Sequence, residues 1–239
     1  MIENELNLHQ IAQMVDLSAV QAENDENYIR KLIATATNIN CIALFTLPSW
    51  ISFAKELLGE NSPILLGGAV GFPSGGNTTS IKVAETHELI KLGCSEIDVV
   101  INVGKLISGF YQETYQDIHA VVEAAGSVPV KVILECHYLS EKDILEGCDI
   151  VIRSGAAWIK TGTGWPATGA TVENVKLIRD HVGDQVKIKA AGGIRDLDTL
   201  LMFYNLGVRR FGIGLNSALT IIEELGNRDL VMNMHMIKD

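Results

Sequence analysis

Trp158-Ile159-Lys160-Thr161-Gly162-Thr163-Gly164 reads as the end of one strand and the start of a loop. The apolar run Ala156–Ile159 delivers a lysine, then breaks at once into threonine and glycine. A lysine in that place has two fates. It extends along its stem to reach water, or it is held as a neutral amine, because its charged form is costly to bury. A neutral amine can attack a carbonyl carbon and form a Schiff base.

The pattern recurs outward from this stretch. Val186-Lys187-Ile188-Lys189-Ala190-Ala191-Gly192-Gly193 is a second strand that carries lysine into glycine, and Glu96-Ile97-Asp98-Val99-Val100-Ile101-Asn102 is a strand with a carboxylate inside it. Each has a plain reading too. A lone strand-end lysine is usually a solvated group, Lys187 and Lys189 alternate as a solvated face would, and Asp98 could cap or form a turn. Two lysines and an aspartate at the ends of separate strands are nonetheless the parts of amine catalysis.

Whether they meet depends on the fold. Ile11 to Val20 holds a short apolar run ending in Asp16 and Ser18. Asn24 to Ala36 has Ile29, Leu32, Ile33 and Ala36 at helical spacing. Ile39 to Leu47 is β-rich and stops at Pro48, and Pro48 to Leu58 is a helix before Gly59. Ile64 to Phe72 is a strand, and Thr79 to Leu92 a helix ended by Gly93. Residues 104–109 are a loop or short helix, Tyr111 to Ala125 a longer one. Val130 to Glu135 is a strand. Ser140 opens the next helix with a capping-box spacing to Asp143. Helices follow at Val172 to Val182, Leu197 to Leu206 and Ser217 to Leu225, with a last strand at Arg209 to Gly214 and a terminal segment from Asn227 to Asp239.

Strand and helix thus alternate about eight times, and many strands are continuous apolar runs, as in parallel sheets buried on both faces. In 239 residues this predicts the α/β class, as a single (β/α)8 TIM barrel over residues 1–239. The rival is a doubly wound open sheet. Against it, no strand runs into G-x-G-x-x-G; Gly212-Ile213-Gly214 lacks the third glycine. Barrel sites lie at the C-terminal ends of the strands, so Asp16, Asp98, Glu135, Lys160 and Lys189 are expected around one mouth.

Composition narrows the partners. The formal charge is −10, which argues against nucleic acid or an anionic membrane surface while leaving room for an anionic small substrate. Cys41, Cys94, Cys136 and Cys148 form no C-x-x-C pair, and Cys41, Cys94 and Cys136, beside apolar runs, read as buried free thiols. Met1 to His9 has no apolar signal core, and no run approaches the roughly 18 residues of a membrane span. The expectation is a soluble, cytoplasmic protein.

The six histidines form neither H-x-H nor H-x-x-x-H, so no compact metal motif appears. His137, just past the fifth strand, is either a substrate contact or a loop residue without a role. A Schiff-base lysine must lose its proton, and a second ammonium within about 4–6 Å favours that loss. Lys189, one strand further round, is placed to act on Lys160. Asp98 and Lys189, with bound water, can move the protons. Gly192-Gly193 before a helix offers backbone N–H groups to a phosphate, or simply makes a tight turn.

At these residues the sequence resembles the deoxyribose-phosphate aldolase family. The matching segments are Val15-Asp16-Leu17, Gly71-Phe72-Pro73 with Asn77-Thr78-Thr79, Glu96 to Asn102, Val130 to Glu135, Ile159 to Gly164, Gly169-Ala170-Thr171-Val172-Glu173 and Lys189 to Arg195. They run in the family's order from about Val15 to Gly214. The resemblance implies a TIM barrel without metal or other cofactor. It implies reversible cleavage of 2-deoxy-D-ribose 5-phosphate to D-glyceraldehyde 3-phosphate and acetaldehyde, by a homodimer. By motif position Lys160 is the Schiff-base lysine, Lys189 lowers its pKa, and Asp98 gives and takes protons. Asp16, Thr161 and Thr163 are supporting polar groups around substrate. Gly192, Gly193 and Gly214 are the remaining substrate-binding candidates.

The chain departs from the family pattern in three places. Phe45 and Leu47 stand where a cysteine and an asparagine are usual, Gly162 replaces a serine, and Gly214-Leu215 stand in place of a serine pair that binds phosphate. The third opens an alternative: the same chemistry on a different or unphosphorylated aldehyde. A third reading, a non-catalytic sugar-phosphate-binding barrel, leaves the two lysines and Asp98 without a task.

Overall fold

The computed structural model describes residues 6–236, with side chains to residue 227, and in them eight parallel strands close into one barrel in chain order. Helix α1 (Leu8–Ala12) precedes β1 (Val15–Ala19), followed by α2 (Glu26–Ile39), β2 (Ala43–Thr46), α3 (Ile51–Leu58) and β3 (Leu65–Val70). Then come α4 (Thr79–Leu92), β4 (Glu96–Val100), α5 (Val103–Ile107), α6 (Tyr111–Ala125), β5 (Val130–Ile133) and α7 (Glu141–Ser154). The last elements are β6 (Trp158–Lys160), α8 (Val172–Val182), β7 (Lys187–Ala191), α9 (Leu197–Asn205), β8 (Arg210–Ile213) and α10 (Leu215–Met236). β8 closes on β1 with Val15 opposite Phe211 and Asp16 opposite Gly212. The open-sheet rival is excluded by that closure.

Most helices begin and end where local chemistry dictates. Asp25 caps α2 by accepting the Tyr28 N–H, and Ser140 and Asp143 form the expected reciprocal capping box of α7. Other boundaries moved for identifiable reasons. The run from Ile11 divides into α1 and β1. Pro48 opens a 3-10 turn, Pro48–Trp50, before α3 starts. β3 ends before Gly71, and the chain leaves through a cis Phe72–Pro73 bond. α10 continues through Asn227, where a separate terminal segment was expected. Residues 1–5 and 237–239, parts of the two terminal readings, lie outside the described residues, as does the His235 side chain.

Period-two alternation divides the strand side chains into two layers. Leu17, Leu44, Leu66, Ile97, Val99, Val132, Ile159, Ile188 and Phe211 face outward and form one core with the helices. The inward layer differs from the branched apolar filling usual in such barrels. It holds Asp16, Glu96, Asp98, Lys131, Lys160, Lys189 and Arg210, all at most 5% exposed. Phe45 joins them, with its ring 4.1 Å from Lys189 Nζ and 4.8 Å from Lys131 Nζ. Gly67 makes room for it, since a Cβ there would lie 2.2 Å from that ring. Phe45 thus forms a packing pair with Gly67, which accounts for an aromatic residue at this position.

Candidate active site

Lys160 is the last residue of β6, buried to 5% exposure, and lines a cavity of about 220 Å³ at the C-terminal end of the barrel. Its Nζ donates to Asp98 Oδ2 at 2.9 Å. Lys189, one strand over and directly paired with Lys160 in the sheet register, donates to the same oxygen at 2.8 Å. Sharing one acceptor brings the two amines within the about 4–6 Å over which like charges disfavour each other. Lys189 also reaches Asp16 Oδ2 at 2.6 Å. Asp98 and Lys189 sit at mid-strand, so both lie deeper than a strand-end reading places them. Lys187 does share the inward face with Lys189 but is exposed at the opposite end, over Trp158.

The two lysines respond differently. Burial is the largest influence on Lys160, and with Lys189 it overrides the pull of Asp98, bringing its pKa down to about 8. The sequence reading named both burial and Lys189; burial is the larger of the two. Burial also presses Lys189 downward, but Asp16 and Asp98 outweigh it, and its pKa ends above the ordinary lysine value. For both aspartates burial works upward, and the surrounding cations prevail: Lys160, Lys189 and Lys131 for Asp98; Lys189, Lys131 and Arg210 for Asp16. Both pKa values are lowered, so both groups are carboxylates.

Thr163, Gly192, Gly193 and Gly214 line the same cavity as Lys160, together with Tyr28 and Arg195. Gly192 and Gly193 have φ of 85° and 91°, a turn that only glycine makes without strain. Asp16 lies beneath the cavity. The Thr161 hydroxyl bridges strands, donating to the Ala191 carbonyl and accepting from the Ala191 N–H, both at 2.9 Å. Thr163 donates its N–H to Glu135 Oε1 at 3.1 Å, and its hydroxyl donates to Glu135 Oε2. Glu135 has left-handed backbone at φ 58° and is buried, which raises its pKa. Gly162 fits because a Cβ there would sit 2.9 Å from Glu135 Oε1, so a serine would displace that carboxylate. His137 is exposed and bonds Thr168 Oγ1 at 2.5 Å.

Sequence reasoning passed over Glu96, Lys131, Arg210 and Tyr28. The first three carried a readable signal, because each stands at inward parity in its strand. Tyr28 carried none. It lies in α2, and its hydroxyl reaches the mouth only through the closed barrel, where it accepts the Leu215 N–H at 3.1 Å. Among the described residues no group of three or more His, Cys, Asp or Glu is arranged to hold a metal ion, and no helix is long and apolar enough to cross a membrane.

A buried amine drawn toward neutrality, at the open end of a (β/α)8 barrel and beside a second lysine, defines a barrel built to capture carbonyl carbons. The model of the DeoC/LacD family aldolase matches residues 10–205, and the chain belongs to that family. A deoxyribose-phosphate aldolase of Klebsiella pneumoniae subsp. pneumoniae is 47% identical over 91% of this chain and 88% of its own. The solved structure of QR15, an aldolase, superposes with TM-score 0.85 at 31% identity, over 92% of this chain and 98% of its own. The tetrameric deoxyribose phosphate aldolase of Aeropyrum pernix shares the fold, with TM-score 0.83 at 24% identity over 92% of each chain.

Proposed function

We propose that the chain is a class I aldolase that reversibly cleaves 2-deoxy-D-ribose 5-phosphate to D-glyceraldehyde 3-phosphate and acetaldehyde. The observation that carries this is Lys160: buried, facing the cavity, and with its pKa brought down to about 8. Relative to an ordinary lysine, that shift raises the free-amine fraction at neutral pH about 300-fold. The amine adds to C1 of the open-chain sugar, and loss of water gives an iminium. Deprotonation of the C3 hydroxyl then breaks the C2–C3 bond. Its electron pair passes to C2 as an enamine, and the three-carbon aldehyde phosphate departs. A proton returns to C2, and water releases acetaldehyde and the free lysine.

Asp98 is the group placed to relay these protons. Its lowered pKa makes it an acceptor that passes a proton on quickly, and a poor reservoir. Lys189 keeps its proton and holds Asp98 in place. Gly192, Gly193, Gly214, Tyr28 and Arg195, at the cavity wall, take the phosphate end, while Thr163 frames the loop beside Lys160 and Asp16 and Thr161 support from below. The four cysteines are free and buried, which fits a reducing cytoplasm. One barrel domain over residues 1–239 and a homodimer complete the reading, and sedimentation would measure the latter.

A second reading rests on Leu215. Its N–H is directed to Tyr28, so an unphosphorylated sugar or aldehyde would lose little at that end. Comparing kcat/KM for deoxyribose 5-phosphate and deoxyribose separates the two; a preference above about a hundredfold for the phosphate supports the first. Reduction with cyanoborohydride in the presence of acetaldehyde should leave a two-carbon adduct on Lys160. Lys160→Ala should cost about a thousandfold or more in kcat, since it removes the attacking amine. An unlabelled native chain would leave only the non-catalytic binding reading.

A further inference from the structure

Six buried side chains inside the barrel form a closed ring of alternating charge. Asp98 meets Lys189 at 2.8 Å, and Lys189 meets Asp16 at 2.6 Å. Arg210 Nη2 bridges Asp16 Oδ1 at 2.5 Å and Glu96 Oε2 at 2.7 Å. Lys131 joins Glu96 Oε2 at 2.6 Å to Asp98 Oδ1 at 3.5 Å, which closes the circuit. Three carboxylates and three cations balance. Lys160 is the seventh charged group, attached to the ring only through Asp98 Oδ2, and no carboxylate of the ring is left over for it.

We propose that Glu96, Lys131 and Arg210 are positioning residues that ease the loss of the Lys160 proton by committing Asp98 to other cations. None of the three lines the cavity. Their effect runs through Asp98. An aspartate alone with Lys160 would form a simple buried pair and hold the ammonium. Here Lys189 shares Oδ2 with Lys160, Lys131 stands 3.5 Å from Oδ1, and the Asp16–Arg210–Glu96 arc holds those two lysines in place. The remaining ionisable group near Lys160 is Glu135, which is turned to Thr163. β2 and β3 contribute Phe45 and Gly67 to this interior, neither of them charged.

The inference rests on the aldolase reading, and the test separates the two. The rate of acetaldehyde trapping at Lys160 by cyanoborohydride is followed against pH by mass spectrometry. The midpoint of its acid limb reports the loss of the lysine proton. Glu96→Gln leaves the ring one positive charge in excess, so that midpoint should fall by about 0.5–1 pH unit. Lys131→Met leaves it one negative charge in excess, so the midpoint should rise by about the same amount. Combining the two changes restores neutrality and should return the midpoint to the native value, and Arg210→Lys, which keeps the charge, should leave it there.

Opposite shifts and their cancellation are not what a merely structural role produces. That role would lower the rate in both single variants without moving the midpoint, and this result overturns the proposal. Where a single variant fails to fold, the neutral double variant decides: a native midpoint supports the ring, and a displacement of a full unit overturns it. No adduct on the native chain at any pH would remove the aldolase reading instead.

Discussion

Lys160 and Lys189 donate to one atom, Asp98 Oδ2, and are driven in opposite directions. Lys189 has a second carboxylate, Asp16, and its pKa rises. Lys160 has none of its own, and its pKa falls to about 8. Of two adjacent buried amines, the one that faces the cavity is the one that can shed its proton. That asymmetry comes from β1, whose Asp16 pairs directly with Lys189 and acts on Lys160 only as a weaker, more distant charge.

Lys189→Met removes an ammonium beside Lys160 and frees Asp98 to hold it. The Lys160 proton should bind more tightly, so the acid limb of kcat/KM should move up by about 1 pH unit or more. At pH 7 the loss should be at least tenfold, with partial recovery by pH 9. A flat loss at all pH values would mean that Lys189 acts by contact with substrate.

Tyr28 supplies a hydroxyl where Gly214 supplies none. A Cβ on Gly214 would lie 3.4 Å from Tyr28 Oη, so the phenol occupies the place a serine side chain would approach. Because Tyr28 Oη accepts the Leu215 N–H, its own proton is available to the cavity. Tyr28→Phe should lower kcat/KM for deoxyribose 5-phosphate by about 10–100-fold, the worth of a hydrogen bond to a charged group, and leave deoxyribose within about twofold. An increase for the phosphate would show that the phenol blocks the Leu215 amide.

Gly67 and Phe45 make a prediction about the wall of the charged interior. Gly67→Ala places a methyl 2.2 Å from the Phe45 ring, which must move off Lys189 and Lys131. Overpacking of this kind costs about 1–3 kcal/mol, readable as a lower denaturant midpoint with an unchanged slope. Adding Phe45→Leu to Gly67→Ala should recover at least half of the loss. If it recovers none, the steric account of this pair is wrong.

Much of the barrel was legible because its evidence is local: apolar runs, capping residues such as Asp25 and Ser140, and glycines after helices. The pairing of Lys160, Lys189 and Asp98 was legible because each charge interrupts an apolar strand. What escaped was information that exists only after closure. Glu96 and Arg210 are far apart in sequence, and nothing in either strand says that they pair with each other, or that Arg210 also reaches Asp16 and Glu96 also reaches Lys131. Tyr28 carries no charge and interrupts no strand, and its hydroxyl reaches the mouth only where α2 meets the start of α10. Burial, the largest influence on Lys160, is likewise a property of the closed barrel, so the sequence could offer it only as one of two fates for a strand-end lysine.

The same burial makes Lys160 a destabilising residue at neutral pH, with a sign that can be measured. Its folded-state pKa is about 8, against 10.5 unfolded. Between those values the unfolded chain binds more protons than the folded one, so stability rises with pH there. Below pH 8 the folded protein carries the full cost of a buried ammonium, about 3 kcal/mol. Lys160→Met has no such group, and most other titrations are common to both proteins. In urea melts, native stability minus that of Lys160→Met should therefore increase by about 3 kcal/mol from pH 7 to 10.5. A difference that stays constant across that range would mean Lys160 keeps an ordinary pKa, and the free amine on which carbonyl capture depends would then be scarce.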